Sequence, residues 1–290
     1  MSIAVEILPD ALVATAIGAI AARGLAASGG WAFPLAEFPD APYLRAGSEI
    51  IWIGDPALLD EGAMHPRMVL TQSAARRGRS VRIDTRSATT WQPTPLSIAR
   101  GAMSGFVSRA AKLKAAIRDV GVPRGLGPLL IGKTPLFPLH LAEGHIRKVA
   151  GLISDDDANA LTAAARPLLG MGTGLTPSGD DFIGGLLYAR RLVAPGPMLD
   201  CAITVLVEAA AERTHVISAA LLGDLARGAG YQRLHTVALD LIDATPTSST
   251  ATNASRLVRI GHSSGWDMLT GFLLGATGTL HTLRQLRSPE

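Results

Sequence analysis

Six glycines fall within the sixteen residues from Gly170 to Gly185, GMGTGLTPSGDDFIGG, and that density rules out regular structure over the first half of the segment. Glycine loses more backbone freedom on ordering than any other residue, so it weakens helices and strands, but it adopts positive φ readily. The segment therefore reads as a loop that feeds a helix, with Gly172, Gly174 and Gly179 free to bring backbone N–H groups close to an anion. The helix that follows points its unpaired N–H groups and its positive dipole end at the same place, an arrangement suited to phosphate or carboxylate. Thr176 and Ser178 add hydroxyl donors. The pattern is neither a Walker A loop nor a dinucleotide fingerprint, since it lacks Gly-Lys-Ser/Thr and no strand precedes it.

A second segment, Gly261 to Gly275 (GHSSGWDMLTGFLLG), repeats the first. Setting Ser178 on Ser264 aligns Gly179 with Gly265, Asp181 with Asp267, Gly185 with Gly271 and Leu187 with Leu273, so Ser-Gly-x-Asp-x-x-x-Gly-x-Leu occurs twice, 86 residues apart. Gly185 and Gly271 remove side-chain bulk and allow two helices to approach closely. The expectation is that both helix starts face one pocket, with His262, Ser263 and Ser264 on its second wall.

The acids at the first helix start carry two readings. Asp180 and Asp181 can hold a hard cation or transfer a proton. Alternatively, Ser178 with Asp181 three residues on fits a capping box that stabilises the helix start. Two carboxylates repel an anion, which argues for a cation in the site, Mg2+ or another divalent ion, held by Asp180 and Asp181. Asp180 and His262 are the candidate catalytic residues, His262 as acid/base or anion ligand. Gly172, Gly174, Thr176, Ser178, Gly179, Ser263 and Ser264 are the candidate anion-binding set. Thr214 and Ser218, with His215 between them, read as a polar seam on one helix face. His140 and His145 flank Glu143 without the metalloprotease spacing and read as surface or hinge residues. Cys201 falls in an apolar helix and reads as core, as do Met268 to Leu274.

Elsewhere the chain divides into a β-rich part and a helical part. Glu49 to Gly54, Arg67 to Thr71 and Val81 to Asp84 are short β-branched or apolar runs bounded by breakers, with no helix of 10 to 15 residues between them. They predict a small antiparallel sheet or barrel. Ala11 to Ala22 reads as a buried helix too short to cross a membrane. A helical period runs from about Ile98 to Val120, followed by a Gly/Pro-rich passage, Gly125 to Pro138, that reads as a linker or binding loop carrying Lys133 as a charge partner. Beyond it, Ser154 is a candidate cap for a helix ending before Pro167. Further helices are expected at Gly179 to Arg191, Met198 to Leu225, Gln232 to Ile242, Thr250 to Ile260 and Gly265 to Leu286. The fold class is thus α+β, organised as a β-rich domain over 1–96, a connecting segment over 97–150 and a helical bundle over 151–290.

One cysteine excludes an intramolecular disulfide and any zinc site built on several thiolates. The net charge is only +3, split into 17 basic against 11 acidic residues up to Ala150 and 10 against 13 after it. The densest cluster, Arg76, Arg77 and Arg79, is no patch or stripe, so nucleic-acid binding is not expected. Met1 to Asp10 carries acids but no Lys or Arg and does not read as a secretory signal, so a cytoplasmic protein without membrane contact is expected.

The two motifs, GMGTGLTPSGDDFIGGLL and GHSSGWDMLTGFLLG, together resemble the AllH-type family. That resemblance implies a subunit of oxamate carbamoyltransferase, which converts oxalurate and phosphate into oxamate and carbamoyl phosphate with two other subunits, in purine and allantoin catabolism. Met171 and Thr173 stand where Leu and Pro are common in the family, a departure that keeps the backbone donors. On this reading Gly172, Gly174, Thr176 and Ser178 bind a phosphoryl or carboxylate group, and Asp180 holds a divalent cation or positions the substrate. Its partners are a small anionic substrate and either the hetero-subunits of the complex or further copies of the chain. Two other classes fit the same residues: a non-catalytic anion-binding or assembly subunit, and a stand-alone metal-dependent hydrolase of an amide or phosphoester.

Overall fold

The computed structural model describes residues 11–36, 43–72, 79–155 and 157–280, and the chain divides into two compact units, Met1–Thr94 and Pro95–Glu290. The described residues of the first form seven strands: β1 (Leu12–Gly18), β2 (Trp31–Ala36), β3 (Tyr43–Ala46), β4 (Glu49–Gly54), β5 (Met68–Thr71), β6 (Val81–Asp84) and β7 (Thr89–Trp91). Six of them run β5-β4-β3-β2-β6-β1 and close into a barrel through β1 against β5, with β7 beside the end of β1. Closure removes the sheet edges that an open sheet would expose. Ala14, Ile17, Ile51, Ile53, Val69 and Ile83 are among the side chains that fill its core.

Two expectations change here. Ala11 to Ala22 is not one helix: Leu12 to Gly18 alternates β-branched and small residues and forms β1, and the helix α1 (Ala19–Ala27) begins only after it. The sheet is mixed, because β1–β6, β1–β7 and β4–β5 pair parallel. The β4–β5 crossover uses only the one-turn helix α2 (Ala57–Asp60), too short to be read from periodicity. Arg76 and Arg77 lie outside the described residues.

The second unit is helical: α3 (Met103–Ala115), α4 (Ile117–Val120), α5 (Ala142–Leu152), α6 (Ala158–Ala165), α7 (Ser178–Val193), α8 (Pro197–Arg213), α9 (Val216–Ala226), α10 (Gln232–Ile242), α11 (Thr247–Leu257) and α12 (Ser264–Thr277). None is long and apolar enough to cross a membrane. Residues after Pro95 contribute directly to its core: Phe106, Leu113 and Ile117 share a cluster with Trp266 and Phe272, while Leu126, Ile146 and Val149 share another with Phe182 and Leu186. Asp157 caps α6 by accepting from Ala160 N at 2.9 Å, so the cap is Asp157 rather than Ser154. The expected helix from Met198 to Leu225 breaks at Thr214–His215, where His215 Nδ1 accepts from Ile217 N at 3.2 Å and starts α9. Cys201 is exposed, because α8 buries Leu199, Ala202, Ile203 and Leu206 on another face.

The centre of this unit is the pair α7 and α12. A Cβ placed on Gly271 would sit 1.9 Å from Phe182 O, and one placed on Gly185 would sit 2.1 Å from Met268 O. Phe182 and Met268, like Gly185 and Gly271, are 86 residues apart, so the sequence repeat appears in space as a two-fold exchange of glycine and carbonyl. Further along, Gly275 meets Leu186 O at 2.6 Å on the same test, and the contacts advance in one direction on both helices. The two helices therefore run parallel with their N-termini together.

Two expected outcomes follow from this packing. Gly271→Ala or Gly185→Ala forces the pair apart and costs about 3 kcal/mol, the upper range for overpacking, while Gly144→Ala in α5, whose Cβ meets nothing within 4 Å, is neutral or stabilising; urea unfolding followed by circular dichroism reads the contrast. Lys114 is 2% exposed, donates to Thr277 Oγ1, Thr279 O and Thr279 Oγ1, and is pushed down to about 8 by burial. The unfolded chain then binds more protons between about pH 8 and its ordinary value, so stability rises with pH across that window. Lys114→Met abolishes that rise when unfolding midpoints at pH 7.5 and 9.5 are compared.

Candidate functional site

The glycine loop is held to α7 by Asp180. Gly170 N donates to Asp180 Oδ1 at 2.8 Å, Ser218 Oγ donates to Asp180 Oδ2 at 2.7 Å, and Thr214 Oγ1 donates to the same oxygen. Burial raises the Asp180 carboxyl, and these three donors oppose the rise. With 1% exposure and donors on both oxygens, Asp180 pins the loop, the start of α7 and the start of α9 together. The polar seam of Thr214 and Ser218 has its acceptor here.

This changes what the loop offers an anion. The Gly170 N–H is taken by Asp180, and Gly179 N donates to Met171 O at 2.9 Å. Among the described residues, the amides of Gly172, Gly174 and Ser178 make no hydrogen bond within the protein. Gly172 has φ +127°, and a Cβ there would stand 2.7 Å from Ser178 N; only glycine lets the loop fold back over the helix start. The residue before α7 is Pro177, so Ser178 is its first helical residue and forms no capping box.

At the joined helix starts, Thr176 Oγ1 lies 3.1 Å from Ser264 Oγ and Ser178 Oγ lies 3.5 Å from Ser263 Oγ. Beneath these hydroxyls are Asp181 and Asp267, 5% and 0% exposed. The Ser264 and Thr176 hydroxyls act on Asp181, and those of Ser178 and Ser263 act on Asp267. Each repeat thus lends its serine to the aspartate of the other, as a two-fold relation requires. Asp267 Oδ1 accepts from Leu126 N at 2.7 Å, and Gly125, at φ +57°, passes so close that a Cβ would lie 2.2 Å from that oxygen.

The remaining oxygens, Asp181 Oδ2 and Asp267 Oδ2, are buried without a hydrogen-bond partner among the described residues. Burial raises Asp181 well above the usual carboxylate range, with the Asp267 charge adding to it, and burial pushes Asp267 up to about 7. Among the described residues no Lys, Arg or His acts on either carboxyl. Functional sites are where such perturbed acids concentrate.

The structure therefore brings Thr176, Ser178, Asp181, Ser263 and Ser264 to one junction, with Gly172 folded over it. Gly174 is exposed in the loop and His262 is exposed in the turn before α12. Asp180 and Asp181, expected as a pair, do different work. His140 and Lys133 are exposed, and His145 is half-buried. Among the described residues no group of three or more His, Cys, Asp or Glu side chains is placed to hold a metal. Sequence reasoning passed over Asp267 and Leu126 as site residues. The alignment of Asp181 with Asp267 carried the signal for the first; a backbone amide leaves no signature for the second. The barrel unit has a separate cavity of about 460 Å³ bordered by Leu25, Gly30, Arg82 and Arg86, where Arg86 is committed to Asp84 at 2.6 Å.

The fold and the site define a class: a small β-barrel unit followed by a helical unit whose two central helices begin at repeated Ser-Gly-x-Asp motifs. Residues 168–276 match the family model for oxamate carbamoyltransferase subunit AllH, the family that both motifs resemble. The match spans α7 to α12 and leaves out the barrel. No solved structure matches the chain.

The two adjacent acids should separate in a stability measurement. Asp180→Ala leaves three donors without their acceptor and lowers stability on the order of 3 kcal/mol, whereas Asp181→Asn removes the cost of burying a carboxyl whose pKa is raised by burial and by Asp267, and raises stability by about 1 kcal/mol. Urea unfolding at pH 7.5 in chelator gives both signs.

Proposed function

We propose that this chain is a subunit of an oxamate carbamoyltransferase, and that the joined starts of α7 and α12 handle its small anionic substrates, oxalurate, phosphate and carbamoyl phosphate. The observation that carries this reading is the convergence of two parallel helix N-termini and a glycine loop with unused amides, within the segment that matches the family. Parallel helices add the positive ends of their dipoles at one place, and anions are stabilised there. In the reaction a phosphate oxygen forms a bond to the carbamoyl carbon of oxalurate. The bond from that carbon to the amide nitrogen breaks, and the leaving oxamate nitrogen takes a proton.

The residues divide these tasks. The amides of Gly172 and Gly174 and the hydroxyls of Thr176, Ser263 and Ser264 bind the anionic groups and stabilise charge that develops on the carbamoyl oxygen. His262, exposed at the rim, supplies the proton to the leaving nitrogen. Asp180 positions the loop rather than touching substrate, because both of its oxygens already accept hydrogen bonds. Leu136 and Phe137, 86% and 83% exposed, present an apolar loop tip of the kind that protein partners cover, which supports a role beside other subunits.

The reading is tested by incubating oxalurate and phosphate with the purified chain, alone and with candidate partner subunits, and measuring carbamoyl phosphate. Transfer is expected in the assembled enzyme. His262→Ala should lower kcat about a hundredfold or more, the range for loss of an acid/base group. Gly174→Ala, which meets no atom within 4 Å but strains a φ of +90°, should raise the KM for phosphate several-fold with the fold intact. Full transfer by both variants in the assembled enzyme would reduce this chain to an assembly subunit, and transfer by the partners without it would remove it from the reaction.

A further inference from the structure

We infer that Asp181 and Asp267 together hold one divalent cation of the Mg2+ type between the first turns of α7 and α12. This deepens the carbamoyl-transfer reading by naming what balances the acids beneath an anion site, and it rests on that reading only for the cation's role, not for its binding.

The two carboxyls come from different helices and face one junction, since the Ser264 hydroxyl of α12 acts on Asp181 and the Ser178 hydroxyl of α7 acts on Asp267. Each keeps one oxygen, Oδ2, buried without any hydrogen-bond partner among the described residues. A buried carboxylate oxygen that receives no donor is a costly arrangement that native structures avoid unless something else occupies it. Among the described residues no Lys, Arg or His acts on either group to supply a cation.

The arrangement of the remaining atoms narrows the occupant. Asp267 Oδ1 is already held by Leu126 N at 2.7 Å, which orients the carboxyl and leaves Oδ2 as its ligating atom. Thr176, Ser178, Ser263 and Ser264 surround the pair with neutral oxygens. An all-oxygen set with two carboxylates suits a hard divalent cation, and the absence of nitrogen and sulfur disfavours zinc or copper. Two carboxylates and one divalent ion also sum to zero charge, so the filled site no longer repels phosphate or oxalurate. Asp180 is left out of the proposed ligand set because three donors already engage its two oxygens, and the proposal sets a pair one repeat apart in place of the expected pair of Asp180 and Asp181.

The test uses the full-length chain, freed of metal by chelator and titrated with Mn2+ while free Mn2+ is read by electron paramagnetic resonance. One Mn2+ per chain, displaced by excess Mg2+, is expected. Asp181→Asn and Asp267→Asn should each weaken that binding at least tenfold while the circular dichroism spectrum stays unchanged. Mg2+ should raise the melting temperature of the native chain and not that of either variant. The proposal is overturned by the absence of saturable Mn2+ binding to the native chain, a result that needs no variant to fold. Binding that survives both substitutions, or a melting temperature that responds to Na+ alone, also overturns it. No substrate or partner subunit enters the titration, so its failure leaves the carbamoyl-transfer assay to be judged separately.

Discussion

The contact on which the helical unit depends is the crossing of α7 and α12 through Gly185 and Gly271. Each glycine faces the other helix's backbone carbonyl, and a single methyl on either would stand about 2 Å from that oxygen. Backbones that close exchange dispersion contacts, and Cα–H to carbonyl contacts add a smaller term. The approach also brings the side chains that flank each glycine, Phe182 and Leu186 on one helix and Met268 and Phe272 on the other, into the core. Larger residues at positions 185 and 271 would thicken the layer between the two helices and separate their starts.

Parallel packing at such short range has an electrostatic consequence. Two helix N-termini adjoin, each with the positive end of its dipole, and like ends repel. Negative charge at the junction relieves this, whether from Asp181 and Asp267 or from a bound anion. The chain places its carboxylates there, and among the described residues they have hydroxyl neighbours and a single backbone donor in place of a cationic partner. Stability would be better served by apolar residues or a satisfied network. A buried pair left in this state is a local conflict in an otherwise consistent core, and such conflicts mark functional sites.

Much of this was legible in the sequence because it follows from local rules. The repeat of Ser-Gly-x-Asp-x-x-x-Gly-x-Leu foretold both the close helix contact and the meeting of the two starts, since small residues at fixed spacing from an N-terminus have few other uses. The strands at Glu49 to Gly54 and Val81 to Asp84 declared themselves by composition, and Gln232 to Ile242 by period. What escaped depends on partners distant in sequence. Leu12 to Gly18 is a strand only because β5 and β6 flank it. The break after Arg213 is fixed by His215 bonding its own backbone and by Thr214 reaching Asp180, 34 residues earlier. Asp180 and Asp181 looked equivalent as neighbours. Their roles diverge because successive residues on a helix point about 100° apart, one toward α9 and the loop, the other toward α12.

The position of Leu126 limits how far the site can be divided from the rest of its unit. The family match begins at residue 168, yet the backbone donor that orients Asp267 comes from the Gly/Pro-rich passage well before it. That passage is fixed by burial of Leu126 and Leu129 in the same cluster as Phe182 and Leu186. A tight turn at Gly125 is what delivers the Leu126 amide, because any side chain there would occupy the space of the Asp267 carboxylate. The repeat therefore makes a junction of near two-fold form, and the preceding segment breaks that symmetry by holding one of its two aspartates and not the other. Asp267 is the fixed member of the pair, while among the described residues no backbone donor holds Asp181, and a pair so constituted can present one rigid and one adjustable oxygen to whatever the junction binds.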